Sequence, residues 1–515
     1  MTWIKSFRSI ADYIDLFKKK GCLAELRGDF LAKADTTVKA LSYDSRSVTP
    51  GTIFFCKGAH FSPDYLHMAL EKGAIAYVCE PALAGRLSDS IAPSEIPGIV
   101  VTDVRTAITN AAALHYEGLR EQLTIIGYTG TKGKSTTSYF TKAIFDSWMQ
   151  SMGKPLTAIL SGINNYDGIV DEESHLTTPE TFELYRHFEN AVRSGISHLT
   201  MEVSSQALKY GRTRGIGFDV AGFLNVGEDH ISPIEHSDRE DYLAAKLKVF
   251  ENSRIACINL ESEDLPRIRV AAENSERVVT FGLSKEADVY AHSARAEAGG
   301  VTFTVRTAEW EAPFSLCLSG LFNIENALAG ISSAYALGLP LPFLQNGLAT
   351  AKVPGRMELF RAPGGRVVLV DYAHNKLSYE TLFASVAWEY PNCPIVTVLG
   401  APGGKAYDRR RDLPQIAAPK SHKIYITEED YGEEALSNIN AEIFAVATEV
   451  GGNAEIVEDR GEAIERAILE SPENAVVLIL GKGRETRQKR GMEYVETEAD
   501  AEIVERLIRE ARRKE

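Results

Sequence analysis

A chain of 515 residues exceeds what one hydrophobic core supports and points to about three domains. Its 44% apolar and 25% charged residues are ordinary for a globular protein, and its net charge of −15 argues against broad contact with nucleic acid or an anionic membrane surface. Its cysteines (Cys22, Cys56, Cys79, Cys257, Cys317 and Cys393) show no Cys-x-x-Cys spacing, which fits a reduced compartment without a zinc site.

Residues 1–104 mix short strands and helices, with buried strands expected at Thr52–Cys56 and Ile99–Val101. The N-terminal stretch is broken by charges and has no signal-peptide core, and no apolar run reaches membrane-spanning length, so a cytoplasmic protein is expected. Ala-rich Arg105–Leu119 reads as a helix leading into a second domain, 105–352. Strand candidates there are Leu123–Ile126, His198–Val203, Phe218–Val226 and Ile255–Leu260, spaced by helical patterns as a parallel α/β sheet requires. Alternation at Val301–Val305 predicts an antiparallel hairpin, and Asn323–Leu337 a helix. A third α/β alternation, 353–515, carries strands at Val367–Tyr372, Ile395–Leu399, Lys423–Thr427 and Val476–Leu480. It ends on a charged amphipathic helix, Ala499–Lys514.

The stretch Gly127-Tyr128-Thr129-Gly130-Thr131-Lys132-Gly133-Lys134-Ser135 lies between a strand and a helix. There, loop N–H groups and the helix N-terminus can wrap a phosphate chain. Lys134 can reach the outer phosphates and the Ser135 hydroxyl can ligate Mg²⁺. Tyr128 stands where a strict phosphate loop has glycine, so the motif is a subtype. Glu202 closes a strand and sits where a sheet-borne Mg²⁺ ligand belongs. His230 follows the next strand. Taken singly, it reads as a hydrogen-bonded structural residue, and Lys246 as a helix lysine facing water.

Together the motifs change that reading. They are Asp44-Ser45-Arg46-Ser47, the phosphate loop, Thr177-Thr178-Pro179, Met201 to Ser205, Asp229-His230, Lys246, Gly320 to Asn326, Val353 to Glu358, Asp371 to His374 and Gly481 to Glu485. In this order they resemble the Mur ligases, ATP-dependent amide-forming enzymes of peptidoglycan precursor synthesis, and within them the branch that adds the third amino acid. The resemblance implies an α/β protein of three domains: a UDP-binding N-terminal domain, a central ATPase with a parallel sheet, and a Rossmann-like C-terminal domain.

It also implies roles. Lys134, Glu202, His230 and Lys246 would be catalytic. Thr129, Gly130, Thr131, Gly133, Lys134, Ser135 and Thr136 would hold ATP phosphates, Asn323 and Asn326 the adenine, and Arg356, Asp371 and His374 would close over the nucleotide. Ser135, Glu202, His230 and Lys246, the last as a carbamate, would serve Mg²⁺. Ser45, Arg46, Thr177, Thr178, Ser204 and Arg212 would hold the UDP-N-acetylmuramoyl-dipeptide. Its terminal D-glutamate would become an acyl phosphate that the incoming amine attacks. No macromolecular partner is implied, and a monomer is expected.

Members that add diaminopimelate carry Asp-Asn-Pro-Arg after the strand matching Lys423–Thr427. Here that segment is Thr427-Glu428-Glu429-Asp430-Tyr431-Gly432. Acidic residues such as Glu429 and Asp430 attract a cationic side chain and repel a second carboxylate. L-lysine or ornithine is therefore expected, with Glu485 and one of Arg409, Arg410 or Arg411 taking the α-amine and α-carboxylate.

Overall fold

The computed structural model describes residues 7–28, 30, 32–58, 61–88, 96–227, 235–297 and 300–514. The chain divides into two compact units, Met1–Lys134 with Trp148–Val279, and Ser135–Ser147 with Thr280–Glu515.

The first unit holds two large sheets, besides a short antiparallel pair of Arg8–Ser9 with Thr37–Val38. Strands β1 (Leu23–Arg27), β2 (Ala40–Ser42), β3 (Thr52–Phe55), β4 (Ala74–Cys79) and β5 (Gly98–Val101) form one, in the order β1-β5-β4-β3-β2. The other runs β9-β8-β7-β10-β6-β11-β12, from β6 (Thr124–Thr129), β7 (Ala158–Leu160), β8 (Asn164–Tyr166), β9 (Asp171–Glu173), β10 (His198–Glu202), β11 (Phe218–Phe223) and β12 (Ser253–Asn259). Strands β7, β10, β6, β11 and β12 are parallel, so their carboxyl ends lie along one edge. A single apolar cluster, including Ile53, Ile99, Ala107, Ile125, Leu199, Phe218 and Phe223, packs against both sheets. Helix α1 (Val104–His115) starts where expected and stops earlier, its end capped by Tyr116, with Gly118 turning the chain at φ 79°.

In the second unit, β13 (Val289–Glu297), β14 (Gly300–Arg306) and β15 (Glu311–Leu316) pair antiparallel, the predicted hairpin with a further strand. A six-stranded sheet runs β16-β17-β21-β18-β19-β20, from β16 (Glu358–Ala362), β17 (Arg366–Asp371), β18 (Ile395–Leu399), β19 (Lys423–Ile426), β20 (Ala454–Ile456) and β21 (Val476–Leu480). All but the β16 edge are parallel. Strands β18 and β21 are buried along their whole length, which is why they read as unbroken apolar runs. Among the described residues no helix is long and apolar enough to cross a membrane.

Candidate active site

The phosphate loop joins β6 to α2 (Lys134–Ser151). Gly133, at φ 86°, occupies the left-handed conformation that caps α2 and turns the loop into the helix. The Lys134 ammonium donates to the carbonyls of Gly130 (2.9 Å) and Thr131 (3.3 Å), so it lies over the loop as the motif requires. Ser135 and Thr136 follow in the first turn of α2.

Flanking strands supply the rest. Strand β10 pairs with β6 in a register that sets Glu202 opposite Tyr128, at the mouth of the loop. Glu202 is 1% exposed, and its Oε1 accepts from the Gly162 N–H at 2.7 Å. On the other side, β11 sets Phe223 opposite Thr129 and runs on to Asn225. Asn225 grips the loop: its carbonyl accepts from Thr131 N–H (3.1 Å), its side-chain oxygen from Lys132 N–H (2.9 Å), and its amide donates to the Lys132 carbonyl (3.1 Å).

Thr131 hydroxyl lies 3.1 Å from the hydroxyl of Tyr242, one turn before Lys246 on α3 (Arg239–Leu247). Lys246 is 1% exposed, and its ammonium sits 4.5 Å from the Tyr242 ring centroid. The picture of a helix lysine facing water is therefore wrong. Burial and the hydroxyl link place this amine beside the phosphate loop. His230 lies outside the described residues. Asn225 and Tyr242 were not singled out from sequence. Asn225 was hidden inside an apolar strand run, and the signal for Tyr242 was its four-residue spacing from Lys246 on one helix face.

Several of the residues expected to hold the muramoyl-peptide are tied to the same edge. Thr178 hydroxyl donates to the Glu202 carbonyl (3.0 Å) and accepts from Ser204 N–H (2.9 Å). Arg212 donates to the Thr178 carbonyl (3.2 Å) and pairs with Glu180 (2.9 Å). An ideal Cβ on Gly162 would lie 3.5 Å from the Thr177 hydroxyl and 3.7 Å from Glu202 Oε1, so these groups converge. Ser45 is buried in a short turn. Arg46 is largely exposed and pairs with Asp44 (2.9 Å), which holds the Asp44 carboxyl below its ordinary pKa.

In the second unit, the Asn323 amide donates to the Ser319 carbonyl (2.6 Å), and its oxygen accepts from Asn326 (3.0 Å). Asp371 accepts from the backbone N–H groups of Met357 and Ala373, both at 2.7 Å, and so braces the loop that carries Arg356. The Arg356 guanidinium lies 4.3 Å from the Tyr372 ring centroid, and His374 Nδ1 donates to the Tyr372 carbonyl (2.7 Å).

The acidic segment follows β19, and its three carboxylates differ sharply. Glu428 is held by a two-pronged pair with Arg490 (3.0 and 2.6 Å). Asp430 accepts from Lys482 (3.0 Å) and from Lys489 N–H (2.8 Å). Burial opposes the charge on Lys482, but Glu485 (2.6 Å) and Asp430 outweigh it and raise its pKa. Two of the three acids are thus already neutralised, which corrects the picture of a uniformly acidic pocket.

Glu429 is 6% exposed, and among the described residues its nearest cation is Arg409 at 4.0 Å. Burial pushes its carboxyl up to about 7, against the pull of Arg460, Arg409 and Lys482. Gly400 and Gly481, at the ends of β18 and β21, make room for it: an added Cβ would lie 2.9 Å from Glu429 Cβ at the first and 2.3 Å from its Oε2 at the second.

The three arginines at the start of α4 (Arg409–Ala417) also part company. Arg410 is buried and committed to Glu434 (2.6 Å) and Glu442 (3.2 Å). Arg411 is exposed and pairs with Asp412. Only Arg409 faces Glu429. Lys482 and Arg490 were missed as site residues because their partners lie more than fifty positions away.

Among the described residues no three His, Cys, Asp or Glu side chains cluster as a metal site. The Glu202 carboxylate and a serine hydroxyl nevertheless fit Mg²⁺, which takes few protein oxygens and completes its shell with phosphate.

Residues 128–334 match the Mur ligase middle domain, and residues 355–483 the domain described as Mur ligase, glutamate ligase domain. A UDP-N-acetylmuramyl-tripeptide synthetase of Bifidobacterium longum is 36% identical, over 97% of this chain and 99% of its own. The chain belongs to the Mur ligase family. A UDP-N-acetylmuramoyl-L-alanyl-D-glutamate–L-lysine ligase of Enterococcus faecalis is 35% identical over 92% of this chain and 94% of its own. A solved UDP-N-acetylmuramoyl-L-alanyl-D-glutamate–2,6-diaminopimelate ligase superposes with a TM-score of 0.67. It covers 98% of this chain and 100% of that one, at 23% identity, and it supports the fold alone. As a Mur ligase the chain is an ATP-dependent, amide-forming enzyme of peptidoglycan synthesis.

Proposed function

We propose that this Mur ligase joins a basic amino acid, L-lysine first, to the D-glutamate of UDP-N-acetylmuramoyl-L-alanyl-D-glutamate. The observation that carries the reading is Glu429, a buried carboxyl left without a close ion pair between two glycines, in the segment that replaces the arginine-bearing motif of diaminopimelate enzymes. A substrate ammonium would supply the missing partner, while a second carboxylate would meet repulsion. The lysine ligase among the relatives supports this choice.

The three functional domains are read as 1–104, 105–352 and 353–515. Lys134 and the loop amides of Thr129 to Thr136 neutralise the ATP phosphates, so that an anionic carboxylate can approach the γ-phosphoryl group. Ser135, Glu202, His230 and a carbamate on Lys246 are the proposed Mg²⁺ ligands. Mg²⁺, when bound, supplies charge stabilisation for phosphoryl transfer. Burial of Lys246 against Tyr242, which is linked to Thr131 of the phosphate loop, supports the carbamate, since an anionic oxygen there would lie near the metal and phosphates. Asn323 and Asn326 are assigned to adenine, Arg356, Asp371 and His374 to the nucleotide, and Ser45, Arg46, Thr177, Thr178, Ser204 and Arg212 to the UDP-muramoyl-dipeptide.

The D-glutamate carboxylate takes the γ-phosphoryl group and ADP leaves. The α-amine of lysine, with Glu485 at the amine and Arg409 at the α-carboxylate, then attacks the acyl carbon and expels phosphate. We take the enzyme to work as a cytoplasmic monomer on these small molecules. The test supplies the acceptor, ATP, Mg²⁺ and, in turn, lysine, ornithine and meso-diaminopimelate, and follows phosphate release and product mass. Lysine-dependent phosphate release with the tripeptide mass is expected. Faster turnover with diaminopimelate overturns the assignment to Glu429.

A further inference from the structure

A chain of polar groups links the segment after Glu202 to the helix that carries Lys246, all within the first unit. Strand β10 ends at Glu202, and the backbone passes through Val203 and Ser204 into the short helix Ser205–Lys209. His236, three residues before α3 begins, is wholly enclosed. Its Nε2 lies 3.0 Å from the Ser205 hydroxyl, and its Nδ1 lies 3.2 Å from Asp241 Oδ2. An ionised carboxylate only accepts, so in the neutral ring Nδ1 carries the proton and Nε2 accepts from the hydroxyl. Asp241 Oδ2 also accepts from the Lys209 ammonium (2.6 Å) and the Ser237 N–H (3.2 Å). Lys209 donates in addition to the Glu235 carbonyl (2.8 Å), and the Gln206 amide donates to the Glu235 carboxylate (3.2 Å).

Hydroxyl, imidazole and carboxylate in this order are the arrangement of an activated serine nucleophile. Two observations count against that role here. Ser205 is 5% exposed and bonded to a ring that no solvent reaches, which leaves little access for an acyl group. The Asp241 oxygen that faces the ring is shared with Lys209, which holds the carboxyl below its ordinary pKa and weakens its support for an imidazolium.

The mechanical role fits better. Asp241 lies on the same helix as Tyr242 and Lys246. The His236 ring packs T-shaped against the Tyr242 ring, with centroids 5.1 Å apart at 71°. Tyr242 is the residue whose hydroxyl meets Thr131 and whose ring lies beside the Lys246 ammonium. One imidazole thus touches the segment after Glu202 with one nitrogen, α3 with the other, and Tyr242 with its ring. A buried imidazole bonded at both nitrogens has a fixed orientation, and groups of this kind set the placement of the ligands in front of them.

We propose that Ser205–His236–Asp241 is a bracket that fixes the spacing between Glu202 and Lys246, with His236 as the positioning residue that keeps Lys246 in register with the phosphate loop. This inference rests on the Mg²⁺ ligands proposed above and adds three residues behind them.

The experiment uses the full-length enzyme. His236→Phe keeps a ring against Tyr242 and removes both hydrogen bonds. Ser205→Ala removes one of them with less change in packing, and His236→Gln restores one. Mn²⁺ affinity is read by electron paramagnetic resonance with a non-hydrolysable ATP analogue and bicarbonate, beside kcat in the complete assay. The Kd for Mn²⁺ should rise about tenfold in His236→Phe and less in the other two, as expected for groups that orient metal ligands, while KM for lysine holds. The same substitutions are then made in Lys246→Ala. A bracket that acts through Lys246 has little left to lose there, so His236→Phe should add less than about twofold. Losses that multiply in the double variant overturn the proposal, and so does unchanged Mn²⁺ affinity in folded His236→Phe. Should His236→Phe fail to fold, Ser205→Ala carries both comparisons. Labelling of Ser205 by a fluorophosphonate also overturns it, because the hydroxyl would then be a nucleophile. A Lys246→Ala enzyme that binds Mn²⁺ and turns over like the wild type refutes the ligand reading itself, an outcome distinct from multiplied losses.

Discussion

The loop after β6 and the segment after β19 both prepare a place for charge, and they are built in opposite ways. The phosphate loop holds its shape through contacts to its backbone: Asn225 clamps Thr131 and Lys132, and Gly133 bends the chain into α2. The acidic segment holds its shape through side-chain charge, with Arg490 on Glu428 and Lys482 on Asp430. A site made of amides tolerates changes in neighbouring side chains. A site made of ion pairs passes every lost partner on to the groups that remain.

The first prediction breaks the comparison on the loop side. Lys134→Ala removes the cation that must neutralise the outer phosphates, while Asn225 still holds the loop. The expected result is a fall of about a thousandfold in kcat with little change in melting temperature. Pre-steady-state phosphate release measures it, and near-normal turnover would remove the loop from catalysis.

Lys246→Ala ranks next. A carbamate makes the lysine an oxygen ligand, so its loss should cost roughly a hundredfold, and short carboxylates added to the assay should restore part of it. Alanine keeps no amine to modify, so rescue by acetate or formate distinguishes a lost ligand from a lost packing group. Activity that neither falls nor responds to added carboxylate would assign Lys246 a purely structural place beneath Tyr242.

How far the sequence could be read follows the same divide. Strand, loop, helix and the Glu202 strand end are contiguous or periodic signals, and each lies where its pattern placed it. The β18 and β21 runs were equally plain because both of their faces are buried. The acidic segment was legible in composition and not in consequence. Nothing in Glu428-Glu429-Asp430 says that Arg490 and Lys482 fold back on the outer two, because these pairings span 62 and 52 positions. Adjacent Arg409, Arg410 and Arg411 look alike in a string, yet the helix turns them toward three different environments.

Glu429→Gln sharpens the comparison on the charge side. It keeps the shape between Gly400 and Gly481 and removes the charge, so KM for lysine should rise about tenfold while KM for ATP holds. The pH dependence has a definite sign. A carboxyl ordinarily near 4.5 that folding raises to about 7 favours the folded state below about 4.5, and that contribution is lost as pH rises through 7. A bound ammonium prefers the ionised form. The wild-type KM for lysine should therefore fall as pH climbs from about 6 to about 8, and the Gln variant should show a flat profile. Thermal melts provide the companion measurement: the Gln variant should gain on the wild type at pH 8 relative to pH 5. Parallel KM profiles in the two proteins would mean that another group receives the substrate's side chain.

The smallest effects come from the arginine trio, where one side chain is tested against its neighbours. Arg409→Ala should raise KM for lysine several-fold, because among the described residues it is the cation near Glu429 that is not tied up elsewhere. Arg410→Ala should act on stability instead. Its guanidinium holds the Glu434 carboxyl down at about 2 and bridges to Glu442, so its loss leaves Glu434 without its main partner and lowers the melting temperature without moving KM. Arg411→Ala, exposed and paired with Asp412, should change stability by less than about 0.5 kcal/mol and leave kinetics untouched. If the kinetic effect fell on Arg410 instead, the Glu434–Glu442 pair would have to open during turnover. The static ion pairs would then describe a resting arrangement, and the contrast between a backbone-built loop and a charge-built pocket would become one between a fixed site and a switching one.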